Sequence, residues 1–69
     1  MTETLGDALP KEMARIRDVV MPAYQSIGPA GGFALALMRK DLDDAAKAMM
    51  EGDTVEMIRL LQELRDYKL

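Results

Sequence analysis

The chain has no cysteine, no histidine and no tryptophan. Without the first two it cannot form a disulfide, carry a thiol nucleophile, build a Cys/His zinc site or use an imidazole as general base. Long apolar runs are missing as well. The longest, residues 33–38, falls far short of the ~20 residues that span a bilayer. Positive charge is scarce: nine Lys and Arg stand against twelve Asp and Glu, for a net charge of -3. Phosphate binding needs clustered bases, so this balance disfavours nonspecific attraction to nucleic acid. Residues 1–7 hold two acids and no base, unlike the cationic start of a signal peptide, and a cytoplasmic location is the expectation.

What is present is a globular mixture, 49% hydrophobic and 30% charged over 69 residues, enough for one small domain. A chain this short with neither disulfide nor metal leans on well-formed helices or on a partner subunit. The sequence therefore predicts an all-α homo-oligomer, most simply a dimer, with no cofactor.

Glycine and proline divide the chain into an irregular arm over residues 1–8 and helices over about 10–27, 31–51 and 54–67. Leu5 is the candidate docking residue of the arm. Pro10 suits a first helical turn, and Gly28-Pro29 supplies a left-handed cap followed by a residue that cannot continue a helix. At 100° per residue, Leu9, Met13, Ile16, Val20, Ala23, Tyr24 and Ile27 share one arc. Pro22 lies opposite that arc, where water satisfies the Asp18 carbonyl it frees, so the spacing predicts a kink rather than a break. In the second helix Leu35, Met38, Leu42, Ala45, Ala46 and Met49 form the stripe, with ion pairs Arg39–Asp43, Lys40–Asp44 and Asp43–Lys47 on the wet side. Gly52 ends it. Asp53 then caps the third helix, with Glu56 three residues on as in a capping box. Met57, Ile58, Leu60, Leu61 and Leu64 face the core, and the two-residue link forces a tight helical hairpin.

Candidate chemistry is thin. Asp41, Asp43 and Asp44 invite a calcium loop, but Ala45 and Ala46 stand where an oxygen ligand and a glycine are required, and neighbouring bases make the acids an ion-paired surface. Residues 28–32 resemble a phosphate cradle, yet no Lys-Ser or Lys-Thr pair follows and no strand precedes, so a loop letting two helices approach closely is the simpler expectation. Ser26 has no base to activate it. No catalytic, cofactor-binding or metal-ligating residue is assigned, and the protein is not expected to be an enzyme. Of the seven methionines, Met38, Met49 and Met57 fall on stripes and read as packing. Met21 and Met50 fall off them. With Val19, Phe33 and Leu37 they are the candidate protein interface, because the first two turns of the second helix are apolar on nearly every face.

Three segments, residues 5–12 (Leu-Gly-Asp-Ala-Leu-Pro-Lys-Glu), 26–33 (Ser-Ile-Gly-Pro-Ala-Gly-Gly-Phe) and 52–58 (Gly-Asp-Thr-Val-Glu-Met-Ile), make the chain similar to short hypothetical proteins of phage and prophage regions. The resemblance implies a small accessory protein that binds and modulates a host or phage protein, and carries over no site residue. The function expected is a protein-binding regulatory module acting through an apolar helical patch. Two alternatives stand beside it. One is a nucleic-acid-associated transcriptional regulator with a helix-turn-helix-like hairpin, against which the balanced charges of the third helix argue. The other is an enzyme using carboxylates in a site shared between subunits.

Overall fold

The computed structural model describes residues 3–68. The fold is all-α. Helix α1 (Leu5–Arg15), a π-helical turn (Ile16–Val20) and α2 (Met21–Gln25) run on as one kinked helix; a 3-10 turn (Gly28–Gly31) leads to α3 (Gly32–Glu51), and α4 (Thr54–Asp66) completes the chain. α3 and α4 share the largest contact, α1 lies against both, and α2 packs on α3.

The first helix begins earlier than proline placement suggested. Thr4 has extended backbone and accepts the Asp7 N–H on Oγ1 at 3.2 Å, while its hydroxyl donates to the Asp7 carboxylate at 2.8 Å. A side-chain cap with an acid in the first turn starts a helix strongly. Residues 5–8, expected to be irregular, are therefore helical, and residues 1 and 2 of the expected arm lie outside the described residues. Pro10 sits inside α1 rather than in its first turn. It is solvent-facing, so the Gly6 carbonyl it deprives of a donor can turn to water.

The kink at Pro22 is present, and it takes the form of a widened turn. Pro22 can offer no N–H to the Asp18 carbonyl, and the preceding turn expands until the Met21 N–H bonds to the carbonyl of Ile16, five residues back. Such a π-bulge inserts one residue into the helical register and rotates the downstream residues by about 100° relative to the expected stripe. Met21, expected on the outside, is buried, and Ile27, expected inside, is 58% exposed.

At the hairpin, Gly52 adopts φ 67°, and its N–H and that of Asp53 bond back to carbonyls of the last turn of α3. That left-handed cap costs a glycine little. Asp53 accepts the Glu56 N–H at 3.2 Å, but the capping box is not closed: the Asp53 N–H is already bonded to the Ala48 carbonyl, and the Glu56 carboxylate pairs with Arg59. The other connection also depends on a glycine. A Cβ on Gly31 would collide with the Tyr24 carbonyl, so α2 and α3 approach as closely as they do because no side chain stands between them.

Leu9, Ile16 and Val20 of the kinked helix, Leu35, Met38, Ala45 and Ala48 of α3, and Leu60, Leu61 and Leu64 of α4 make the core. Each large aliphatic side chain removed from water there contributes roughly 1.5–3 kcal/mol. Among the described residues no helix is long and apolar enough to cross a membrane.

Candidate functional site

Five residues were expected to form one apolar interface, and the structure distributes them over four places. Phe33 and Leu37 remain together: four residues apart on α3, they share one face, with Phe33 78% and Leu37 41% exposed. Met21 is corrected to a core position by the π-bulge. Val19 is exposed, but on the π-helical turn rather than on α3. Met50, at 89% exposure the barest of the set, lies seventeen residues beyond Phe33 on the same helix, which at 1.5 Å per residue separates them by about 25 Å. Its exposed neighbour in sequence is Val55, across the hairpin. On α3 itself the exposed apolar residues thus fall into two groups, one towards each end.

At the Phe33 end sequence periodicity missed one member. Ile27 swings out of the core, and its side chain lies against Gly31 at the entrance to α3. The proline at 22 was the available signal, since a π-bulge ahead of it shifts every later residue around the axis. Ala23, Tyr24, Ile27 and Lys68 line a surface cleft at this end, next to the apolar start of α3.

A second feature is polar. Asp41 is 8% exposed, where the sequence pattern placed it on an ion-paired surface. Its position explains why: it follows Met38 by three residues and precedes Ala45 by four, which puts it on the buried stripe of α3. The Tyr67 hydroxyl donates to Asp41 Oδ2 at 2.8 Å, so the buried acid is not left unpaired. Burial and that acceptor push the Tyr67 hydroxyl well above its ordinary value of 10.0. Glu63, one turn before Tyr67, is also raised above 4.5, by desolvation first and then by the neighbouring Asp41 carboxylate, with Arg59 and Lys40 opposing. Arg59 donates from Nη1 to the Glu63 carboxylate at 2.9 Å and from Nε to the Glu56 carboxylate. On α3, Lys40 pairs with Asp44 at 2.8 Å, which lowers the Asp44 carboxyl and raises the Lys40 ammonium.

The end of α4 is tied to every other helix. Arg15 of α1 donates to the Leu64 and Tyr67 carbonyls, each at 2.9 Å, supplying a cation where the helix dipole is negative. The Tyr24 hydroxyl of α2 donates to the Lys68 carbonyl at 3.4 Å, and Tyr67 reaches Asp41 of α3. Of these bonds, the one from Tyr67 reaches Asp41. Neither the cleft beside Ile27 nor the charged one lined by Asp44, Lys47, Ala48, Glu51 and Glu56 includes Asp41, Glu63 or Tyr67.

Comparison with protein-family models, with curated proteins and with solved structures finds no match for this chain.

Proposed function

We propose that the chain is a small protein-binding module whose contact surface is centred on Phe33 and Leu37 with Ile27 beside them, and that a second copy of the chain is its first occupant. The observation that carries this is the position of the single phenylalanine. The helical core is complete without it, yet a ring that would gain about as much from burial as any side chain present stands 78% exposed beside a second apolar residue one turn on. A 69-residue chain without cysteine gains most from covering such a surface, because its own core is small. Symmetric pairing needs only one self-complementary patch.

Binding is favoured over the alternatives by what the polar groups are doing. Arg59 of α4, one of the bases a recognition helix could aim at phosphate, is occupied by Glu56 and Glu63. Arg15 is spent on carbonyls and Arg17 on Asp18. Asp41 is the buried carboxyl that carboxylate catalysis would recruit, but it is covered, and neither of the two clefts described above includes it.

Light scattering after size exclusion, on the wild type and on the Phe33→Asp, Leu37→Asp double variant, tests this. The wild type should run as a dimer and the variant as a folded monomer with unchanged helical circular dichroism. A wild type that stays monomeric at about millimolar concentration, far above any useful Kd in the micromolar range, overturns self-association. A folded variant that keeps its dimer moves the contact away from Phe33.

A further inference from the structure

We propose that the Phe33 ring of one copy seats in the cleft lined by Ala23, Tyr24, Ile27 and Lys68 of a second copy, and that the second copy's ring fills the first copy's cleft in return. This exchange deepens the contact proposed above and rests on the pairing of two copies. The cleft has a volume of about 380 Å³, within the roughly 300–1,000 Å³ of clefts that take a ligand-sized group. Its lining suits a phenyl ring. Ala23 leaves room, Ile27 supplies an aliphatic wall, and Tyr24 supplies an aromatic one. Lys68 adds an apolar stem and a cation, which the face of an aromatic ring attracts. The Tyr24 hydroxyl bond to the Lys68 carbonyl joins the two sides of the cleft. The other cleft, lined by Asp44, Lys47, Glu51 and Glu56 around Ala48, offers a ring no apolar wall of this kind. Phe33 is not among the residues lining the cleft of its own chain, and its ring is 78% exposed, so ring and cleft are not paired within one copy.

The two features are close enough for both exchanges to occur at once. The Ile27 side chain lies 3.1 Å from the place a Gly31 Cβ would occupy, and Phe33 follows Gly31 by two residues, at most about 7 Å of backbone. A two-fold axis between ring and cleft then makes each contact twice, since in such an interface residue i meets j and j meets i. Charge selects a second copy as the occupant. Residues 19–38 hold no charged side chain, and this stretch supplies Phe33 and every cleft residue except Lys68. Two copies with a net charge of -3 each repel one another, and meeting through the uncharged stretch keeps their charges apart. A partner that docks through charged side chains finds only Lys68 to pair with in this cleft.

Isotope-filtered NMR on a mixture of labelled and unlabelled chains tests the exchange directly. NOE contacts from the Phe33 ring of one copy to Tyr24 and Ile27 of the other are expected. A dimer that shows none of them overturns the exchange and leaves the pairing standing, whereas a wild type that stays monomeric at about millimolar concentration overturns both. Complementation gives a second measurement. Phe33→Ala removes the ring and Ala23→Glu blocks the cleft, and each alone should weaken the dimer about tenfold or more. In a mixture, Ala23→Glu still offers its ring to the open cleft of Phe33→Ala, so the mixed dimer should be tighter than the dimer of either variant alone. A mixed dimer of intermediate strength means that the two rings meet each other on the axis, and overturns the exchange. Helical circular dichroism checks that both variants fold. If Ala23→Glu does not, Ile27→Glu, at an exposed position of the same cleft, takes its place.

Discussion

Adjacent glycines at the mouth of α3 should respond to the same substitution with opposite signs. A methyl on Gly31 meets the Tyr24 carbonyl, while one on Gly32 meets nothing and that residue is already helical. Gly31→Ala is expected to destabilise by about 1–3 kcal/mol, as overpacking does, and Gly32→Ala to stabilise by about 0.4–1 kcal/mol by restricting the unfolded chain. Urea titration of the two variants decides it. Tyr67 is the other residue with a sharp expectation. Tyr67→Phe leaves Asp41 buried without its donor and should cost about 1–3 kcal/mol at neutral pH. Because the Tyr67 hydroxyl is raised above 10.0, the folded protein keeps a proton that the unfolded chain loses; that contribution is full below about pH 10 and is lost above it. The stability gap between wild type and Tyr67→Phe should therefore narrow as pH rises past about 10, as denaturant melts at alkaline pH would show. Neither expectation can be formed from sequence. Gly31 and Gly32 are equivalent as letters, and Asp41 stands among acids with basic neighbours; only the stripe of Met38, Ala45 and Ala48 hints that it turns inward.

At the scale of the element, helix ends are legible where the signal is local. Gly52 and Asp53 stop one helix and start the next as their residue types require, and Gly28 takes its left-handed backbone. Thr4 is the exception, because Pro10 offers a more conspicuous start. Both caps should be measurable: Thr4→Ala and Asp53→Ala are each expected to cost about 0.5–2 kcal/mol, whereas glycine at either position should cost only a few tenths. Thermal melts of the four variants check that ordering. Pro22 announces the kink but not its form. A bend and a π-bulge leave the same proline on the same outer face, yet only the bulge adds a residue to the turn, and that residue moves Met21 inward and Ile27 outward.

Across the whole molecule, one arginine joins the first helix to the last. Arg15 donates to two carbonyls at the end of α4 and keeps Glu12 beside it. Arg15→Leu preserves the stem and removes the donors, so it should cost about 1.5–3 kcal/mol, the range for hydrogen bonds to a charged group. Hydrogen exchange should then speed up first at the closing turn of α4. A uniform rise in exchange over all helices would mean that this turn has no independent opening. The surface pairs Arg17–Asp18 and Lys11–Glu3 are exposed, and removing either should change stability little.

Composition and periodicity alone determined that this chain is helical, that its helices are three in outline with the first bent, and that Phe33 and Leu37 exceed what the core stripe needs. These follow from local rules: 3.6-residue spacing, caps, and the missing N–H of proline. The buried seat of Asp41, the exchange of Met21 for Ile27 and the separation of Met50 from Phe33 were decided only by tertiary structure. Each depends on where one helix meets another or on how far apart two points on a helix lie, and register and distance between elements are set by packing rather than by any single stretch of residues.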